Sequence, residues 1–369
     1  MSNDALILDA IRTPIGKRDG ALRNKRPDDL AGELLAALAA RNGVRPADVD
    51  DVVLGCVTQT QEQGVNVARN AVLAAGWPVT VPATSVNRLC ASSLQAAAVA
   101  AQAVGSGQAD LVVAGGTESM TRVPMGSDAG AISPRILERF DLVSQGISAE
   151  FIAEKWGLSR RQIDEFSLAS HQKALKADFK AEILPVDGVS VDEGPRKDTS
   201  IEKMAGLKPS FKENGVITAG SSSQISDGAA VLLVASPARA KALGKKPRAR
   251  IVASVAVGVD PTIMLTGPIP ATEKVLRKAG LALKDIDLFE CNEAFAPVVL
   301  AWMKETGVDP ARVNVNGGAV ALGHPLGATG ARLLTTILYE LERRSLKRGL
   351  VTLCIGMGQG MAMIIERIP

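Results

Sequence analysis

One pattern is written twice along this chain, and the duplication limits the folds open to it more than any other feature. In the first half, residues 5–10 and 51–57 read as buried strands, with a helix over 29–41 between them closed by Asn42-Gly43. A helix over 65–75, a strand over 82–87, a helix of small residues over 91–104 stopped by Gly105, and a strand over 110–114 follow. The second half repeats the order. A strand over 250–257 leads to a helix over 271–278 closed by Gly280, a strand over 286–291, a helix over 294–305 and a short strand over 313–316. A helix over 327–344, ending in basic residues as its dipole favours, then precedes strands over 350–355 and 360–367. The matching last strand of the first half is 229–236, so 119–226 is an insertion. Its one clear helix, 160–176, follows a capping box of Ser159 and Gln162.

Duplicated strand–helix units imply an α/β architecture of two parallel-rich sheets, covered by helices and related by a pseudo-twofold axis. The expected division is an N-terminal half of residues 1–118 plus 227–248, an inserted unit of 119–226 and a C-terminal half of 249–369. Reactive groups in such sheets belong beyond the carboxyl ends of the strands. Only 3% of residues are aromatic while 35 are glycine, so the core must be aliphatic with close backbone approaches. A net charge of +3 over 369 residues gives no reason to expect a nucleic-acid partner.

Three reactive residues stand in turns of small residues. Cys90 follows the third strand of the first half, and His324, within Gly323-His-Pro-Leu-Gly-Ala-Thr-Gly330, follows the third strand of the second. A pseudo-dyad would bring those two turns together. Cys354 opens Cys354-Ile-Gly-Met-Gly-Gln-Gly360, a turn whose backbone N–H groups are free to stabilise an oxyanion. A thiol nucleophile, a base to take its proton and a second acid/base thiol suit carbon–carbon bond chemistry on thioesters. The Cys90 sulfur would face the positive end of the helix over 91–104, lowering its pKa.

Each residue also has a plainer reading. Free cysteines are most often buried packing residues, and a turn histidine often caps the next helix. His171, mid-helix among Gln172, Lys173 and Lys176, reads as a surface or packing residue. The basic run from Arg239 to Arg250 reads as a solvated helix end and linker. Four cysteines in a chain of this length do not make a disulfide framework, and none shows the spacing of a zinc site, so no metal is expected. The Gly-x-Gly-x-Gly spacing after Cys354 is not the dinucleotide fingerprint. Met1-Ser-Asn-Asp-Ala lacks the basic and apolar regions of a signal peptide, and no run of 18 uncharged apolar residues suggests a membrane span. The Ile-Pro end is not a peroxisomal address. A soluble, reducing, cytoplasmic location is the expectation.

Taken together, Asn87-Arg-Leu-Cys90, Gly115-Gly-Thr-Glu-Ser-Met120, Asn292-Glu-Ala-Phe-Ala296, Asn314-Val-Asn-Gly-Gly318, Gly323-His-Pro-Leu-Gly327 and Cys354-Ile-Gly356 resemble the thiolase family over nearly the whole chain. The resemblance implies the duplicated, layered αβαβα thiolase fold, with the insertion as a loop domain that holds CoA. It implies thiolytic cleavage of 3-ketoacyl-CoA to acetyl-CoA, or the reverse Claisen condensation. Cys90 would be acylated with His324 as its base, and Cys354 would protonate the departing carbanion. It further implies one oxyanion hole from His324 and a water held by Asn292, and another from the backbone N–H groups of Cys90 and Gly356. CoA would be substrate rather than cofactor, contacted by Ser223 and Arg196, with Phe295 at the same site. A homodimer or homotetramer is implied as well.

Some residues depart from the family pattern. Ser93 stands where glycine is usual and would crowd the nucleophile's helix. Ser221 and Gln224 replace the more usual Asn and Gly. The segment between Met120 and Ser148 is short, with Gln145-Gly146 in place of the usual covering element. Two other readings share the fold. A decarboxylating ketoacyl synthase would need a second histidine or asparagine where this chain has Cys354, and a non-catalytic CoA-binding relative would be expected to have lost a reactive residue.

Overall fold

The computed structural model describes residues 4–369, so the Met1-Ser-Asn stretch in the reading of the leader and of the N-terminal half lies outside it. Among the described residues ten strands form one continuous sheet. In chain order they are β1 (Leu6–Arg12), β2 (Gly16–Lys17), β3 (Asp51–Gly55), β4 (Ala83–Val86), β5 (Leu111–Ser119), β6 (Ser226–Ala235), β7 (Ala249–Gly258), β8 (Leu288–Cys291), β9 (Arg348–Ile355) and β10 (Gln359–Arg367). Their spatial order is β4-β3-β5-β6-β1-β7-β10-β9-β8, with β2 beside β6.

The duplication is explicit in this order. Read outward from the centre, β1-β6-β5-β3-β4 in one half answers β7-β10-β9-β8 in the other. The position equivalent to β4 is a single parallel bridge between Phe289 and Val313. The strand expected over 313–316 is therefore absent. Asn314 takes a left-handed φ of 44°, and its side-chain amide bonds both the N–H and the carbonyl of Cys291, replacing ladder bonds.

Two expectations about the sheet need correction. The halves do not form separate sheets: β1 and β7 join them through Leu6–Arg250 and Ile7–Ala249. Nor is the pairing mostly parallel. β3 lies parallel to β4 and β5, and β8 to β9, but β5–β6, β9–β10, β1–β6 and β7–β10 are antiparallel. A short turn between β9 and β10 permits only a hairpin. Its counterpart β5–β6 is the same hairpin with the insertion as its loop.

The described residues form twelve α-helices: α1 (Pro27–Asn42), α2 (Val67–Ala74), α3 (Ser92–Ser106), α4 (Pro134–Leu137), α5 (Gln145–Lys155), α6 (Arg160–Lys176), α7 (Ile201–Ala205), α8 (Pro237–Ala242), α9 (Pro268–Ala279), α10 (Ala296–Thr306), α11 (Ala319–Leu322) and α12 (Thr329–Arg343). Alternate strand residues point to different layers. Val112, Ala114, Leu232, Val351, Leu353 and Met363 face inward onto α3 and α12. Val52, Leu54, Val113 and Leu233 face outward onto α1 and α2, while Phe289, Leu350 and Ile364 face outward to the α9–α10 side. The layers are thus helix, sheet, helix, sheet, helix. Among the described residues the buried cluster of this central layer holds no aromatic ring. Ala96, Ala97 and Ala100 let α3 approach closely, and α12 is buried on nearly every side.

Local signals fix the helix ends. α1 begins with Pro27 and two acidic residues and ends at left-handed Gly43. α3 runs past Gly105 and stops at left-handed Gly107. α6 carries the Ser159–Gln162 capping box. Three other helices of the insertion, α4, α5 and α7, were not foreseen. The arginines of the basic run are tied into the fold, while Lys241 and Lys246 are exposed. Arg248 pairs with Asp9 and Glu342 and lies 4.1 Å over Tyr339, and Arg239 pairs with Asp48. Among the described residues no helix is long and apolar enough to cross a membrane.

Candidate active site

The N-termini of the two central helices meet, and a reactive residue precedes each. Gly330 at the start of α12 lies where a Cβ would strike the backbone of Leu94 on α3, and Ala331 N–H donates to Ser93 Oγ at 2.9 Å. Ser93 is accommodated, its hydroxyl turned to the partner helix, and Gly55 leaves space for the Ser92–Ser93 backbone.

The Cys90 turn is built from its own polar side chains. Asn87 Nδ2 donates to the Val57 carbonyl and its Oδ1 accepts from Leu89 N–H. Ser92 Oγ accepts from Arg88 N–H and donates to the Leu89 carbonyl. Leu89 is held at a φ of 46°, a conformation rare for a branched residue. The result is a buried sulfur, with Cys90 4% exposed, on which its own N–H and that of Gly356 favour negative charge. The expectation of a lowered thiol pKa fails. Burial pushes it up to about 11, against those two donors, so Cys90 rests as a neutral thiol.

His324 is equally buried. Gly323 before it has a φ of 102°, and a Cβ there would strike the Ser226 side chain, so only glycine allows this entry. Ser226 Oγ accepts from His324 N–H at 3.3 Å. On the ring, Nδ1 lies 2.6 Å from Thr329 Oγ1, whose hydroxyl donates to the Pro325 carbonyl at 2.8 Å. Nδ1 must then carry the proton. That leaves Nε2 as an acceptor, 3.2 Å from Asn292 Nδ2. Burial, then the charge of Arg332, lowers the imidazole to about 3, so the ring is neutral. Its hydrogen bonds go to Thr329 and Asn292 rather than to the Cys90 sulfur. Asn292 Oδ1 has no protein partner among the described residues.

Cys354 ends β9 without solvent exposure, in an apolar cluster with Phe295, Met264 and Leu265. Burial raises its thiol pKa, and charge on Cys90 would raise it further. Its turn continues through Met357 and Gly358, both at positive φ. A Cβ on Gly356 would lie 3.3 Å from Leu89 and 3.1 Å from Gln145 Nε2, so α5 of the insertion reaches this turn.

Glu118, inside a motif singled out above but given no role there, ties the halves together. Its buried carboxylate accepts from the N–H groups of Val57, Thr58 and Gly327 and from Gln63 Nε2. Gly116 gives the same junction its close approach, since a Cβ there would overlap the Gly327 carbonyl. Leu326, two residues beyond His324, packs in one cluster with Cys90, Val57 and Met120.

A cleft of about 450 Å³ is lined by Lys17, Arg18, Arg196, Ser222, Ser223 and Gln224. A second, of about 240 Å³, is lined by His171, Arg196, Lys203 and Gln224. Gln224 connects both to the reactive centre, because its carbonyl accepts from His324 N–H and its amide donates to the Gly194, Val320 and Ala321 carbonyls. Ser221 accepts from Thr218 N–H, in a tight turn of the same segment. Ser223 N–H donates to the Ala294 carbonyl, Ser222 bridges Phe295, and Phe211 meets Phe295 edge-on at 5.8 Å. His171 proves to be a packing residue: it is buried, lowered to about 4 by burial, and its Nδ1 accepts from Arg196 N–H at 3.1 Å.

Comparison with known proteins agrees over the whole length. The family model of the thiolase N-terminal domain matches residues 5–238, and that of the thiolase C-terminal domain residues 245–367. Steroid 3-ketoacyl-CoA thiolase FadA6 of Mycobacterium tuberculosis is 49% identical over 386 residues, covering 99% of this chain and 94% of that protein. A 3-ketoacyl-CoA thiolase of Aliivibrio fischeri is 45% identical, covering 99% of each. The crystal structure of the Bacillus anthracis acetyl-CoA acetyltransferase superposes with a TM-score of 0.91 at 41% identity, covering 99% of both chains.

Proposed function

The chain belongs to the thiolase family, and we propose that Cys90, His324 and Cys354 perform its chemistry in two half-reactions through an acyl-cysteine. It is an acyltransferase that cleaves 3-ketoacyl-CoA with CoA, giving acetyl-CoA and a shortened acyl-CoA. Neutral His324 takes the Cys90 proton at Nε2 as the sulfur attacks the keto carbon. The bond between the α-carbon and that carbon breaks, and the acetyl-CoA carbanion takes the proton of Cys354. The Cys354 thiolate then takes the proton of the incoming CoA thiol, whose sulfur attacks the acyl-cysteine. Cys90 leaves as a thiolate and recovers its proton from His324. Run backward, the same steps make the Claisen condensation.

The observation that carries this reading is the Cys354 turn set against the Cys90 turn, where a Cβ on Gly356 would lie 3.3 Å from Leu89 and the N–H groups of Cys90 and Gly356 favour negative charge on the Cys90 sulfur. Donors so placed suit the oxyanion of an acyl group on that sulfur, where one donor is worth about 2.7–4 kcal/mol of barrier. The second oxyanion is assigned to protonated His324 Nε2 and to Asn292, whose free Oδ1 gives a water an acceptor. The insertion, residues 119–226, is proposed as the CoA-holding unit. Arg196 and Ser223 line one cleft together with cationic Lys17 and Arg18, Lys203 lines the neighbouring cleft beside Arg196, and Phe295 bridges Ser222 of the first. CoA enters as substrate, and none of these steps calls for a cofactor.

A homodimer or homotetramer is proposed from the outer edge of β4, which ends the sheet, and from exposed Val65 and Val79 beyond it. A cytoplasmic location is proposed because all four cysteines are free thiols and the mechanism needs two of them reduced.

The test is turnover of acetoacetyl-CoA with free CoA, followed by loss of the ketothioester. Wild type should turn over. C90S should lose both turnover and acylation, and C354S should lose turnover while still exchanging acyl groups between Cys90 and CoA. Full thiolysis by C354S would remove its acid/base role.

A further inference from the structure

Behind His324 lie a buried arginine and a buried glutamate that the proposed mechanism does not use. Arg332 is 2% exposed and Glu290 is also 2% exposed, with 3.6 Å between Nη1 and Oε2, outside direct hydrogen-bonding reach. Neither guanidinium Nη nor that carboxylate oxygen has a hydrogen-bond partner among the described residues. Buried polar atoms are seldom left so without a reason.

Their placement supplies one. On α12, Arg332 stands three residues after Thr329, about one helical turn along the same side. On the β8 side, Glu290 stands two residues before Asn292, on the same face of the extended chain. Thr329 and Asn292 are the two partners of the imidazole, one on each ring nitrogen. Each element therefore sends one residue to the ring and one to the pair behind it.

We propose that Arg332 and Glu290 are positioning residues for His324: the pair sets α12 against β8 in the register that leaves Nδ1 protonated and Nε2 bare, and the guanidinium charge opposes a second positive charge on the ring. The inference rests on the reading of His324 as the base for Cys90.

The surrounding charges leave that guanidinium free to act. Arg12 holds Glu182 through Nε at 2.6 Å and Asp192 through both Nη atoms at 2.7 and 2.9 Å, and Thr336 of α12 donates to Glu182 at 2.9 Å. Those two carboxylates are thus engaged by Arg12. On the far side Glu290 faces Glu293 and Lys173 as well as Glu182. Glu293 is itself held by Ser170 Oγ, Asn314 Nδ2 and Val320 N–H. Burial pushes the Glu290 carboxyl up to about 8 despite Arg332, so near neutral pH it balances the arginine only in part. Arg332 is the one charged group among the described residues found to act on the imidazole, and it acts to keep it neutral.

The chain has only two histidines, so nitrogen NMR of the imidazoles reads this directly, with H171N supplying the assignment. Wild-type His324 should show the Nδ1–H tautomer alone at pH 7. R332Q should show a mixture containing Nε2–H and a titration midpoint raised by about one pH unit. R332K, which keeps the charge, should titrate close to wild type. Should R332Q fail to fold, E290A, which removes the other half of the pair, should still show the mixed tautomers. A single wild-type tautomer in E290A, or a common midpoint for R332Q and R332K, would overturn the proposal. The readout is the ring itself, so this result and the turnover of acetoacetyl-CoA fail independently.

Discussion

Replacing Thr329 by valine removes one hydroxyl and little volume from a fully buried position, which makes it an incisive perturbation of His324. The wild-type hydroxyl accepts the Nδ1 proton at 2.6 Å and donates to the Pro325 carbonyl. In T329V the ring must either leave Nδ1–H unpaired or move the proton to Nε2, where Asn292 must turn its amide to accept it. Leaving a buried donor without a partner costs about 1–3 kcal/mol. At about 1.4 kcal/mol per factor of ten, the population with a bare Nε2 falls roughly 5- to 150-fold. Acylation of Cys90 by acetyl-CoA should slow by the same factor, measured by intact mass on quenched samples at neutral pH. The same loss should lower the denaturation midpoint, so acylation is to be compared under conditions where both proteins are fully folded. A T329V enzyme that acylates within about twofold of wild type would refute the assignment of Nε2 as the base.

Other consequences can be measured separately. His324 and His171 are neutral in the fold, lowered to about 3 and about 4, while unfolded histidine titrates near 6.5. The unfolded state therefore binds more protons below that pH, and stability falls as pH falls from about 6.5 toward 4, by roughly 2 kcal/mol for each histidine at pH 5. Urea unfolding at pH 7, 6 and 5 should show the decline, and H171N should lessen it; an unchanged slope would contradict the burial argument. E118Q puts an amide NH₂ where only acceptors are wanted, so it should cost about 1–3 kcal/mol and reduce kcat more than it raises KM. An effect on KM alone would place Glu118 outside the linkage to the His324 turn. G330A should cost roughly 1–3 kcal/mol by driving a methyl group into Leu94, and an unchanged melting curve would show that the two central helices can part without penalty.

The repeat was legible because its signals are local: apolar runs, left-handed glycines at helix ends, and turns of small residues. Edge pairing between β1 and β7 leaves no local trace, so two sheets were expected where one continuous path exists. The strand at 313–316 failed because Asn314 satisfies the Cys291 backbone with its side chain, a choice that apolar periodicity does not register. Cys90, His324 and Cys354 could be picked out from the turns that hold them. The electrostatics of Cys90 could not, since a helix-end argument says nothing of how deeply the sulfur is buried. Its polar neighbours leave His171 open between surface and packing, and it packs against the backbone of Arg196. Thr329 and Glu118 lay inside recognisable motifs, and their acceptor geometry appears only once the two halves are brought together.

The central claim is that one sulfur carries the acyl group while another handles the proton. It is tested most directly by incubating C354S with acetyl-CoA and mapping the acetylated peptide by mass spectrometry. The account predicts a single acetyl group on Cys90, formed without any carbon–carbon bond exchange. Acetylation elsewhere, or an unmodified Cys90 in a folded C354S protein, would contradict it.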